Sequence, residues 1–144
     1  MKKAKTPSYV VELPVSVSTE TERQLNARLL AGSRLYNAVL GEALKRLDLM
    51  RDSKAWQAAR KLTGKPRSEA FQAEIKKFAF SSASLSSCAT QCKNSAFWQN
   101  RLSANEMQRI AETAFLAVQQ YSFGKRGRPR FKSRNRPLKS FSGK

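Results

Sequence analysis

The chain contains no histidine. That removes the side chain most often used as a general base near neutral pH, and the commonest nitrogen ligand for metals. It has two cysteines, Cys88 and Cys92, too few for the disulfide framework of a small secreted domain. Acids are scarce too, with ten Asp and Glu against 28 Lys and Arg. A metal-dependent nuclease gathers carboxylates to hold its divalent ions. Here they are scattered, mostly beside Lys or Arg on outward helix faces, and Glu20 and Glu22 serve a helix start. We therefore expect no catalytic residue, no metal site, no cofactor and no enzymatic activity from this chain alone. Long apolar runs are missing as well. The apolar stretch at residues 9–17 is broken by Glu12 and Pro14, so neither a membrane span nor a signal peptide is expected. The expected setting is cytoplasmic, with no membrane partner and no small-molecule substrate.

What the chain has in excess is positive charge. Its 144 residues carry a formal net charge of +18. Such a chain attracts polyanions, and Arg-rich runs favour nucleic acid because a guanidinium matches phosphate in a bidentate fork. The surplus is uneven. Residues 124–144 hold nine of the 28 cations and none of the ten acids, which is half of the net charge. Those cations are Lys125, Arg126, Arg128, Arg130, Lys132, Arg134, Arg136, Lys139 and Lys144.

Ahead of this segment lies a mixed-charge body with enough apolar residues for a core, 40% of the chain. Residues 8–17 are β-branched and aromatic, which predicts one strand with Pro14 at a sheet edge or bulge. Thr19 and Glu22 have the spacing of a capping box. From there to about residue 51, Leu25, Leu29, Tyr36, Val39, Leu40, Leu47 and Met50 recur at helical spacing and predict one long amphipathic helix. The small residues Ala31, Gly32 and Ser33 interrupt that stripe, allowing either a close neighbour helix or a bend. A second helix is predicted over 53–62 with Trp56 on its apolar side, ended by Gly64 and Pro66. A third follows over 68–78, with Phe71, Ile75 and Phe78 on one face. Residues 81–95 form a short Ser-rich helix in this reading. Ser103 and Glu106 cap a last helix that ends at Gly124. The expected fold is mainly α, in three parts: a strand at 1–18, a helical bundle at 19–123 and a basic extended segment at 124–144.

The basic segment is the leading candidate site. Pro129 extends it, Gly124 and Gly127 loosen it, and Phe131 adds a face on which a base could stack. Arg126-Gly127-Arg128-Pro129 also has the form of an AT-hook core, which lays an extended backbone in a narrow A·T minor groove. A non-specific basic scaffold is the blander alternative. Cys88 and Cys92 share a helix face and could supply half of a zinc site, but with no histidine and no third cysteine two buried thiols are the simpler reading.

The order of these pieces resembles a known family. A strand containing Val-Glu-Leu-Pro is followed by a capped helix with Gly32-Ser33-Arg34-Leu35-Tyr36-Asn37-Ala38. Later comes Ala114-Phe115-Leu116-Ala117-Val118-Gln119-Gln120-Tyr121, then the basic Gly-Arg-Pro-Arg-Phe-Lys run. This arrangement is similar to the start of TnpB-type proteins, the transposon-encoded RNA-guided nucleases related to type V CRISPR effectors. The resemblance covers nearly the whole chain. It implies an N-terminal strand of a wedge β-barrel, a helical recognition region and a basic return into the barrel, here incomplete. Residues 137–142 would be one partner strand. It implies a guide-like RNA and DNA as partners, gripped through backbone contacts, and Arg34, Tyr36 and Asn37 as further nucleic-acid-binding residues. The family's RuvC-like nuclease domain would lie beyond residue 144. In this reading the chain is an N-terminal fragment, a truncated reading frame or one piece of a split system, partnered by the rest of a prokaryotic nuclease.

Overall fold

The computed structural model describes residues 7–94, 101–140 and 142. Residues 1–5, Ser95, Phe141 and Lys144, which figure in the expectations above, lie outside them.

Among the described residues five helices follow one another: α1 (Thr19–Asp52), α2 (Lys54–Ala59), α3 (Gly64–Lys77), α4 (Ser82–Asn94) and α5 (Ala104–Ser122). α1 is the axis. Its 34 residues rise about 50 Å at 1.5 Å per residue. Ala31, Leu35, Val39, Ala43, Leu47 and Met50, three or four apart, are buried together against Met107, Ile110, Ala111, Ala114 and Val118 of α5 and Leu85 and Ala89 of α4. α1 and α5 run in the same direction. Near their starts Arg28 pairs with Glu106 and donates to the Arg101 carbonyl. Near their ends Arg51 lies over the Tyr121 ring and donates to the Ser122 carbonyl. α2 and α3 form an annex in which Trp56 meets Phe71, their ring centroids 4.4 Å apart. Glu74 is buried beneath it and accepts a hydrogen bond from Ser53 Oγ at 2.8 Å.

The helical bundle is as expected, and several finer expectations are corrected. The strand over 8–17 does not form. No strand occurs among the described residues, and Tyr9 and Val10 stay 87% and 90% exposed. A strand is stable only beside another, and residues 137–140 do not pair with it. Among the described residues the expected barrel strands are thus not assembled. The helix stripe begins later than expected, because the first two turns of α1 project past the bundle and leave Leu25 exposed. The α1 N-cap is Ser18, one residue before Thr19, and its hydroxyl accepts the Thr21 N–H. Gly64 and Pro66 start α3 rather than end α2. A first-turn N–H has no helical partner, so proline costs nothing there.

The other two ends follow standard capping chemistry. Ser103 and Glu106 close the expected capping box on α5. Gly124, at φ +70°, closes a Schellman motif: Lys125 N–H donates to Gln120 O and Gly124 N–H to Tyr121 O. α3 ends with the same bonding pattern, but there the left-handed residue is Ala79, at φ +50°. Arg46 Nη1 holds its carbonyl at 2.8 Å. An alanine in that conformation is strained by about 1–2 kcal/mol, partly offset because glycine has more unfolded-state entropy to lose. Ala79→Gly should therefore raise unfolding stability by up to about 1 kcal/mol, read from urea denaturation.

Burial alone would raise the Glu106 carboxyl. The hydrogen bond from the Ser103 N–H and the pairing with Arg28 outweigh it and hold the group below its ordinary value. A depressed carboxylate contributes stability above its unfolded pKa and loses it as pH falls through the folded value. Wild type should thus lose stability on acidification below about pH 4.5 more steeply than Glu106→Gln, compared by thermal melts across that range.

Candidate nucleic-acid interface

After Gly124 the chain turns back and runs antiparallel to α1. Arg128 pairs with Asp48 at 3.4 Å, and Pro129 is buried. Phe131 lies across Gly41, where an added Cβ would meet its ring at 3.7 Å. At Lys132 the contact tightens. Asn37 Nδ2 donates to the Lys132 carbonyl at 2.8 Å, and the Lys132 N–H donates to Asn37 Oδ1 at 2.7 Å. Farther on, the Leu138 N–H donates to Ser33 Oγ at 2.8 Å, while that hydroxyl donates to the Leu29 carbonyl. Leu138 packs against the core. The α1 partners thus descend through Asp48, Gly41, Asn37 and Ser33 as the segment advances. Between the last two, the Arg136 N–H bonds the Ser133 carbonyl at 3.1 Å and closes a four-residue turn.

The small residues Ala31, Gly32 and Ser33 are buried, and Ser33 receives this segment through the Leu138 N–H. Of the candidates on α1, Tyr36 is buried, and Lys132 Nζ stands 5.3 Å from its ring centroid. Burial pushes its hydroxyl above the usual tyrosine range, tempered by the positive charge of Arg126. The Asn37 amide is engaged with the Lys132 backbone. Arg34 is exposed and lines a hollow with Lys132 and Arg134. Lys125, Arg126, Arg128, Arg130, Arg134, Arg136 and Lys139 are exposed, and Lys132 is half-buried. Among the described residues only Arg128 of these has a carboxylate partner, and that pair is too exposed to be strong. Phe131 keeps 56% of its surface exposed. A Cβ added at Gly127 would meet nothing within 4 Å, and the backbone there is not left-handed, so nothing within the chain requires glycine.

Gly41 and Asp48 are residues that sequence reasoning missed, and Ser33, read there as a small residue leaving room for a neighbour, has its bond to Leu138 as a further role. Their signal is the spacing of Ser33, Asn37 and Gly41, four apart on one helix face, which marks a ridge low enough for a chain to lie on. Cys88 and Cys92 are half-buried and hydrogen-bonded to each other, and burial raises the Cys88 thiol. Among the described residues no three of Cys, Asp and Glu gather as a metal site would need, and no helix is long and apolar enough to cross a membrane. Compared with known proteins, the chain matches no family model, no curated protein and no solved structure.

The Asn37 clamp yields a direct test. Asn37→Ala removes both bonds to the Lys132 peptide unit, and each such bond is worth about 0.5–1.5 kcal/mol. The variant should keep its helical circular dichroism while trypsin cleaves after Arg130, Lys132 and Arg134 several-fold faster than in wild type.

Proposed function

We propose that this chain binds nucleic acid through segment 124–144, docked on α1 from Arg128 to Leu138, acting as the RNA- and DNA-engaging lobe of a TnpB-like, RNA-guided nuclease. The observation that carries the reading is a row of cations fixed along one helix, with a single carboxylate partner among the eight that are described. Fixing such a row costs electrostatic repulsion, which a polyanion relieves. The chain itself supplies no cleavage chemistry in this reading; guide-like RNA and the guide–target duplex are held by their backbones. Residues 8–17 take their sheet neighbours from the rest of the larger assembly, consistent with their exposed apolar side chains.

The alternative is an AT-hook-like DNA-binding protein. It draws support from the exposed backbone around Gly127, which a narrow groove could approach. Both readings require salt-sensitive binding. If about six cations meet a single strand, log K should fall with log salt at a slope of roughly −4. Changing Arg126, Arg130, Arg134 and Arg136 together to Gln should bring that slope to about −1. A slope left unchanged would place the binding surface elsewhere. Competition at near-physiological salt between a structured RNA and an A·T-rich duplex then separates the readings, with RNA expected to win. Gly127→Ala, which the fold tolerates, should leave RNA binding intact. Preference for the A·T duplex, abolished by Gly127→Ala, would establish the hook instead.

A further inference from the structure

Two surface hollows lie beside the turn at residues 133–136, and Lys132 borders both. The first, about 490 Å³, brings Arg34 of α1 together with Lys132 and Arg134, with Asn37 and Ser133 at its side. The second, about 580 Å³, brings Lys132 together with Arg136 and Lys139, with Asn135 and Ser140. Among the described residues no carboxylate lines either one. Two other hollows differ in this respect: the one beside Arg128 includes Asp48 and Asp52, and the one beside Arg109 includes Glu112.

Three cations around one hollow repel one another unless an anion is shared between them. The backbone that carries Lys132, Arg134, Arg136 and Lys139 is nevertheless held by neutral bonds that do not involve their cationic heads. Asn37 holds the Lys132 peptide unit, Ser33 holds Leu138, and the Ser133–Arg136 bond closes the turn between the hollows. The Lys132 ammonium lies 5.3 Å from the Tyr36 ring centroid, and Lys132 lines both hollows. The backbone around both is therefore set before any ligand arrives, so that the ordering cost left on binding is that of the side chains.

We infer that the two hollows are seats for neighbouring phosphates of one nucleic-acid strand, with Arg34 and Arg134 serving the first, Arg136 and Lys139 the second, and Lys132 shared. Guanidinium groups in three of these positions fit the paired oxygens of a phosphodiester. The intervening turn favours a strand over a lipid surface. A flat array of headgroups would meet the crest of the turn, whereas a single flexible strand can follow the surface around it. The inference rests on the nucleic-acid reading above and adds to it a location and a division of labour.

The test uses the full chain and a fluorescent oligo-uridine RNA, with anisotropy titrations over a range of KCl concentrations. Arg34→Gln and Lys139→Gln remove one cation from each seat. Each should weaken binding about three- to tenfold and reduce the salt slope by about 0.7, the contribution of one single-strand phosphate contact. Because they serve different phosphates, the double variant should show the product of the two affinity losses. Lys61→Gln, an exposed cation in the α2–α3 annex, should change neither quantity. All of these side chains lie at the surface, and matching unfolding midpoints would establish that the fold is intact. If wild type binds RNA with a steep salt slope but Arg34→Gln and Lys139→Gln behave like Lys61→Gln, the seats are wrong and the nucleic-acid reading survives. If wild type shows no salt-dependent RNA binding, both fall. A parallel arm uses phosphatidylglycerol vesicles. Loss of vesicle binding in the two variants, with RNA binding unchanged, would assign the hollows to lipid headgroups and overturn the inference.

Discussion

The paired hydrogen bonds between the Asn37 amide and the Lys132 peptide unit are the constraint on which the cationic surface depends. Residues 125–132 have no helix or sheet ladder to satisfy their backbone. An asparagine amide presents one donor and one acceptor side by side, and so satisfies the N–H and carbonyl of a single residue at once. Aspartate could only accept and leucine could do neither. Because Asn37 is anchored between the buried residues Tyr36 and Val39, the clamp inherits the rigidity of the α1–α5 core. The residues beyond Lys132 are fixed relative to the same helix, through the Ser133–Arg136 turn and the seating of Leu138 on Ser33.

Charge works against this arrangement and packing works for it. A segment dense in cations and poor in carboxylates gains little electrostatically from lying on the body. The Arg128–Asp48 pair, about half-exposed on both sides, contributes little. Docking relies on groups that are indifferent to charge: the Asn37 amide, the Ser33 hydroxyl, Pro129, Leu138 and the face of Phe131 over Gly41. The cationic heads can then remain in solvent while their backbone is held. Screening by salt weakens their mutual repulsion and their attraction for phosphate together, but leaves the docking contacts untouched.

This division explains what could be seen in the sequence. α1 and α5 were legible because a bundle helix must repeat its apolar face every three or four residues, and because Ser103, Glu106 and Gly124 mark their own cap positions chemically. The start of α3 was misread because Gly64 and Pro66 break a helix interior yet fit a helix beginning. The strand at 8–17 was legible as composition only, since a strand is a relation between two segments and composition does not supply the second. Asn37 was singled out for its neighbourhood, but its bonding partner lies 95 residues away, a separation that no local pattern reports. Ser33 was read only as a small residue leaving room for a neighbour, because its partner Leu138 lies 105 residues away.

The contrast between a docked row and a free tail bears on how the chain could distinguish one polyanion from another. A flexible tail with the same charge adapts to any phosphate spacing, so its affinity follows charge density alone. A row fixed to α1 has one spacing and one curvature, set by where Asn37 and Ser33 lie along a helix that rises about 1.5 Å per residue. A backbone whose phosphates match that spacing meets all the cations at once, whereas one that does not must leave some unmatched or strip the segment from α1. The second course forfeits the bonds at Lys132 and Leu138, about 0.5–1.5 kcal/mol each. Shape preference therefore requires no base-reading side chain. It arises when neutral hydrogen bonds set the geometry and charges supply the attraction, and in the proposed reading Lys132 does both, its peptide unit held by Asn37 and its ammonium left for phosphate.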